Sequence, residues 1–362
     1  MPSSASRLAA PFALFLCLVL AFVSVPSARA QQGAGNPSNA AQDQDDVIDV
    51  ETRLVRLNIG VADAKGRPIT NLTAADFAVF EDGAPQRITI FEPVTSPFSL
   101  VVLLDLSGST LGFRTTLKQA AVRFLDALDP RDRVAVVTFN REARTLVDFT
   151  TDRSKAAYAI QIAEGRTPET EVYEALRYSL RQLAREGDRR KAIVVMTDGQ
   201  DTSLARADRL RASLAASLAA TEPQASTAPQ VTTAIVDREP ALAAVLDAAD
   251  RQGVTIYPLA LPSGDIRRIP NPTVTQLAVY TEARKRLEAL SNRTGGRLHD
   301  IRRLEDMGRL YAEVAADMRT LYTISYQPAA TNVPRGAWRP IRIGVPARPD
   351  LLARTREGYF AR

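Results

Sequence analysis

The chain has 362 residues, 45% of them apolar and 24% charged, with a formal net charge of +5. That length supports one large domain or two, with a core that needs no disulfide or structural metal, and the composition is that of an ordinary globular protein. The basic residues are mostly arginines scattered among acids, and no basic block interleaves with aromatics, which argues for a solvated surface and against a nucleic-acid partner.

In chain order, Arg7 precedes an apolar run from Leu8 to Val25, and Ser27-Ala28-Arg29-Ala30 follows. This is the plan of a secretory signal peptide over residues 1–30, cut after Ala30, and it predicts an exported, periplasmic or extracellular protein. A retained N-terminal anchor is the other reading. Cys17, the one cysteine, lies inside that run. The mature chain would then carry no thiol, and thiolate catalysis is excluded. No later segment reaches the roughly 18 apolar residues of a transmembrane helix.

Residues 31–46 are polar and rich in Gly, Asn and Gln, a flexible linker. Residues 47–95 read as a small β unit. Val55, Leu57, Ile59 and Val61 alternate with polar or small residues, and Asp82-Gly83 between the runs at Ala78–Phe80 and Ile88–Phe91 is a hairpin signal. Residues 96–326 alternate buried strands with helices. The strands are Leu100–Leu104, Val134–Phe139, Ala192–Met196 and Val254–Leu259. Helical spacing recurs at Leu117–Leu128, Tyr173–Leu183, Ala283–Ser291 and Leu304–Thr320. The pattern predicts an α/β fold with a doubly wound, mostly parallel sheet. Two surface insertions interrupt it, near 204–239 and 263–274. Residues 327–362 turn β again, and their strands are expected to pair with the N-terminal β unit, leaving the α/β domain inserted in a split β domain.

The chemistry concentrates at strand ends. Asp105-Leu106-Ser107-Gly108-Ser109 follows the first buried strand, and Thr197-Asp198-Gly199 follows another. Ligands of open α/β sheets bind where such loops converge. The spacing lets Asp105, Ser107 and Ser109 point one way around a tight turn that Gly108 permits. Thr170 is expected to cap a helix beginning near Glu171, with its hydroxyl exposed. Two carboxylates and three hydroxyls are hard donors, suited to Mg²⁺, Mn²⁺ or Ca²⁺ rather than zinc.

Together these motifs resemble the metal-ion-dependent adhesion site of von Willebrand factor A (VWA) and integrin I domains, over about residues 97–326. The resemblance implies Ser107 and Ser109 as direct metal ligands, with Asp105, Thr170 and Asp198 completing the shell. Two formal negative charges do not over-neutralise a divalent ion, so its open position favours an Asp or Glu of a partner protein. The stretches Leu72–Gly83 and Arg354–Phe360 are similar to a bacterial group of secreted VWFA-related proteins. The expected function is a metal-dependent protein-binding module, not an enzyme. The alternatives are an envelope scaffold with a vestigial metal site and a metal-dependent hydrolase. Against hydrolysis, position 107 is Ser where a dehalogenase-type phosphatase needs a second acid, and there is no phosphate-cradling Gly-x-x-x-x-Gly-Lys motif. The single histidine, His299, fits no Ser-His-Asp relay and is read as structural, and Trp338 as core or a domain contact.

Overall fold

A computed structural model describes residues 54–165, 167–219, 239–265, 270–329 and 333–361. The expected signal peptide and linker lie outside the described residues, as do parts of both insertions. Among the described residues no helix is long and apolar enough to cross a membrane.

The centre is a six-stranded sheet in the order β10-β9-β8-β5-β6-β7. Its strands are β5 (Phe98–Asp105), β6 (Arg133–Phe139), β7 (Ala143–Thr150), β8 (Arg190–Thr197), β9 (Val254–Ala260) and β10 (His299–Asp300). All neighbours run parallel except β7, an antiparallel edge. The continuous apolar runs are explained by burial on both faces. On β5, Leu100, Val102 and Leu104 enter one core and Val101 and Leu103 the other. The first core is covered by α1 (Arg114–Asp126), α2 (Arg153–Ile162) and α7 (Met307–Met318). The second is covered by α3 (Val172–Leu183), α5 (Pro240–Gln252) and α6 (Val274–Thr294). One more helix, α4 (Thr202–Ala219), packs along α6.

Two further sheets flank this body. One has the order β13-β1-β11-β4, from β1 (Val55–Ala62), β4 (Ile88–Glu92), β11 (Leu321–Tyr326) and β13 (Leu352–Arg354). The other has the order β14-β12-β2-β3, from β2 (Ala78–Glu81), β3 (Ala84–Gln86), β12 (Trp338–Gly344) and β14 (Gly358–Phe360). The alternating Val55, Leu57, Ile59 and Val61 of β1 meet Val79, Tyr322, Ile324 and Ile341 in a third core. The C-terminal strands do pair with the N-terminal ones, β12 with β2 and β13 with β1.

Two details differ from expectation. The Asp82-Gly83 turn, with φ of 52° and 80°, closes a hairpin between β2 and β3, while β4 leaves for the other sheet and pairs with β11. And β11, read as the last strand of the 96–326 segment, joins the flanking sheet beside β1 instead of the central one. Its Tyr322 and Tyr326 are fully buried there, so its apolar run carries no mark of which sheet it serves.

Candidate metal centre

The parallel strands all point their carboxyl ends at one pole, and the predicted residues gather there. β5 ends at Asp105 and β8 at Thr197. The Asp105 carboxylate is fully buried and accepts from the Ser107 backbone N–H at 2.9 Å and from the Thr197 hydroxyl at 2.8 Å. Its first oxygen thereby folds the loop back so that the Ser107 and Ser109 hydroxyls stand 3.2 Å apart. Ser107 is buried and Ser109 exposed, so the cluster opens to solvent on the Ser109 side. The Ser109 hydroxyl is close enough to the Asp198 carboxylate to hold its pKa down against burial. Asp198, 3% exposed, accepts from the Gln200 backbone N–H at 3.1 Å and from the Ser263 hydroxyl at 3.5 Å.

Gly108 earns its place differently from expectation. It does not take a positive φ; residues 108–113 form a 3-10 turn. Its backbone N–H instead donates to the Pro168 carbonyl at 3.1 Å, and an added Cβ would stand 3.2 Å from Pro168. The glycine lets two loops meet, and the second loop carries Thr170.

Thr170 does not cap a helix, and its hydroxyl is not exposed. Glu171 occupies the N-cap of α3, and Thr170 is 7% exposed, with a buried hydroxyl that has no partner among the described residues. Its backbone is held on both sides by α4: the Thr170 N–H donates to the Thr202 hydroxyl at 2.9 Å, and the Thr202 N–H donates to the Thr170 carbonyl at 2.8 Å. Thr197, Thr202 and Ser263 were not singled out from sequence. Thr197 stands inside the Thr-Asp-Gly motif and was within reach; the other two need the tertiary fold.

Electrostatically the site is strained by like charge. Burial pushes the Asp105 carboxyl up to about 7, and Asp198 beside it pushes the same way. Burial also raises Asp198. No three His, Cys, Asp or Glu side chains converge as a metal site among the described residues, so the donor set is two carboxylates plus hydroxyls. That set fits a hard divalent cation: it would relieve the repulsion between the two acids and give the stranded Thr170 hydroxyl a partner. His299 stands 3.8 Å from Glu313 and joins none of these bonds. Trp338 packs on Phe360, with the Arg293 guanidinium of α6 4.6 Å from its ring centre, a contact between a flanking sheet and the central body.

Residues 100–200 match the family model of the von Willebrand factor type A domain. The match takes in all but the first two residues of β5, the strands β6 to β8 and all five predicted site residues, so residues 100–200 are those of a VWA domain. An uncharacterised protein of Synechocystis sp. is 33% identical over 111 residues, which cover 29% of this chain and 26% of that protein. This chain is thus similar to about a quarter of that relative's length. Among solved structures, an aerotolerance-related membrane protein of Bacteroides fragilis is similar at 16% identity and a TM-score of 0.40, over 61% of this chain and 98% of that one. A von Willebrand factor type A protein of Catenulispora acidiphila is similar at 13% identity and a TM-score of 0.43, over 81% and 70%. Proximal thread matrix protein 1 of the mussel byssus, solved with zinc in its adhesion-site motif, is similar at 16% identity and a TM-score of 0.39, over 61% and 48%.

Proposed function

With a von Willebrand factor type A domain at its centre, we propose that this chain is an exported binding module that grips a partner protein through a divalent metal ion, Mg²⁺ in the first instance. Asp105, Ser107, Ser109, Thr170 and Asp198 would hold the ion, and an Asp or Glu of the partner would complete its coordination. The reading of export rests on the Arg7-to-Ala30 pattern, and we assign the VWA domain to residues 96–320, with flanking β segments at 47–95 and, since β11 pairs with β1, at 321–362.

The observation that carries the proposal is the convergence of two buried, mutually repelling carboxylates with a row of hydroxyls at the solvent-open end of the sheet. A bound divalent ion supplies a Lewis-acidic position for a carboxylate. The chain's own residues do the rest. Thr197 and the Ser107 N–H orient Asp105. Ser109 and Ser263 orient Asp198. The Thr202 contacts hold Thr170.

Calorimetric titration of Mg²⁺ and Mn²⁺ into the mature chain, beside Asp105→Ala, tests this. Saturable binding by the wild type, lost in the variant, is expected, and it opens the way to a metal-dependent pull-down that an Asp- or Glu-rich peptide should compete. Identical isotherms for the two proteins would end the proposal.

A further inference from the structure

Beside the metal loops lies a cavity of about 310 Å³. Asp198 stands in its wall, so the cavity and the candidate metal centre are continuous. Leu261 and Leu287 are fully buried in the cavity lining, Ile301 adds a third apolar side chain, and Tyr280 and Thr281 bring in hydroxyls from α6.

The wall is built by an unusual use of α6. Its C-terminal end is level with the start of β9, where the Thr294 hydroxyl accepts from the Ile256 N–H at 2.9 Å. Arg284 lies level with the end of β10, where it pairs through both terminal nitrogens with Asp300. Residues 274–283 therefore run on past the strand ends, by about 15 Å at 1.5 Å per residue. Just below the overhang α6 is anchored: Asp208 on α4 and Glu239 at the N-cap of α5 both pair with the buried Arg286 of α6. The overhang stands over the pole that carries Asp105 and Asp198, and the cavity opens at its foot.

The chemistry of the cavity selects its occupant. Arg284 is already engaged by Asp300 and by Glu288, at 3.1 Å, so it is not a free anion hook. Asp265 and Arg302 also line the cavity and are engaged as well, so what remains is an apolar floor of Leu261, Leu287 and Ile301 with hydroxyls in the wall, at the small end of the range for ligand pockets. Such a pocket takes one large side chain, and Trp and Tyr are the side chains that anchor interfaces by filling pockets of this kind. Resting on the metal-bridged reading above, we propose that this cavity receives an aromatic side chain of the same partner segment whose carboxylate reaches the metal, so that the module reads an acidic residue together with a neighbouring aromatic one.

The test is selection of a displayed octapeptide library with a fixed central Asp on the mature chain in Mg²⁺. Enrichment of Trp, Tyr or Phe at one flanking position is expected. Thr281→Trp, which fills the cavity from an exposed position on α6, should lose at least fivefold in that enrichment. Tyr280→Ala, which opens the cavity instead of filling it, should weaken or shift the preference and guards against a variant that fails to fold. A flat profile on the wild type, or the same aromatic preference on both variants, overturns the proposal. The parent reading fails separately: selection that survives chelation, or proceeds equally from an Asn-centred library, removes the metal bridge whatever the flanking residues show.

Discussion

Asp105 concentrates the energetics of the site in one side chain. Its carboxyl titrates at about 7 in the folded chain, against 3.8 for an unperturbed aspartate, because it is buried and because Asp198 lies beside it. A group whose folded pKa is raised binds its proton more tightly when folded. The stability it contributes is fully present below pH 4 and is lost as the pH rises through 7. At about 1.4 kcal/mol per pKa unit, the loss amounts to a few kcal/mol. In chelator, the wild type should therefore melt several degrees lower at pH 8 than at pH 5.5, and Asp105→Asn should reduce that difference, the remainder belonging to Asp198, which burial also raises. Saturating Mg²⁺ at pH 8 should restore the wild type and leave the variant unmoved, since a ligand stabilises only what it binds. Parallel pH profiles for the two proteins, by calorimetric melting, would show that Asp105 is not the source of the loss.

At the level of elements, α4 ties the site to the rest of the fold. Its first residue exchanges two hydrogen bonds with Thr170, and its Asp208 is buried against Arg286. Thr202→Val removes the acceptor of the Thr170 N–H, a loss of about 1 kcal/mol, and should weaken Mg²⁺ binding three- to tenfold while Thr202→Ser keeps wild-type affinity. Equal affinity in all three would mean that α4 does not position Thr170. Arg286→Leu leaves the buried Asp208 and Glu239 with only the half-exposed Arg211 between them and should destabilise the chain by about 3 kcal/mol in urea unfolding. Little of this was legible in the sequence. β5, β8 and β9 were, because burial on both faces writes an unbroken apolar run. The loop from Asp105 to Ser109 and the Asp198 turn were, because local spacing sets them. β7 and α2 were missed: one is a partly exposed antiparallel edge and the other has a weak apolar stripe. The sequence places Thr170 at the helix cap because it is a good capping residue, yet Glu171 stands there, and the Thr202 contact that holds the Thr170 backbone comes from 32 positions away.

The whole molecule has two poles, and they divide the work. The candidate metal loops and the cavity occupy the carboxyl ends of the parallel strands, while the flanking sheets dock at the opposite end, where Asn58 of β1 donates to the Gly253 carbonyl and the Thr255 hydroxyl at the start of β9. Arg190, the first residue of β8, makes the joint. It is 1% exposed, lies 4.0 Å from the centre of the Phe98 ring, and donates to the carbonyls of Val94, Ser96, Met318 and Leu321. Those carbonyls belong to the turn leading into β5, the last residue of α7 and the first of β11, so one guanidinium fastens the inserted domain at both its entry and its exit. Lysine cannot reproduce a planar fork with five donors, and an apolar side chain would leave the carbonyls buried and unpaired, at about 1–3 kcal/mol for each one that stays dry. Arg190→Met should therefore lower the melting temperature and also separate the two parts. Trp338, the chain's single tryptophan, sits on β12 and reports the flanking sheets by fluorescence, whereas far-UV circular dichroism is dominated by the helices of the central body. In the wild type the two signals should change together, as a cooperative unit requires. In Arg190→Met the Trp338 signal should move first, at a lower denaturant concentration. If both signals still coincide in the variant at an unchanged midpoint, the carbonyl cage is not what joins the flanking sheets to the central domain.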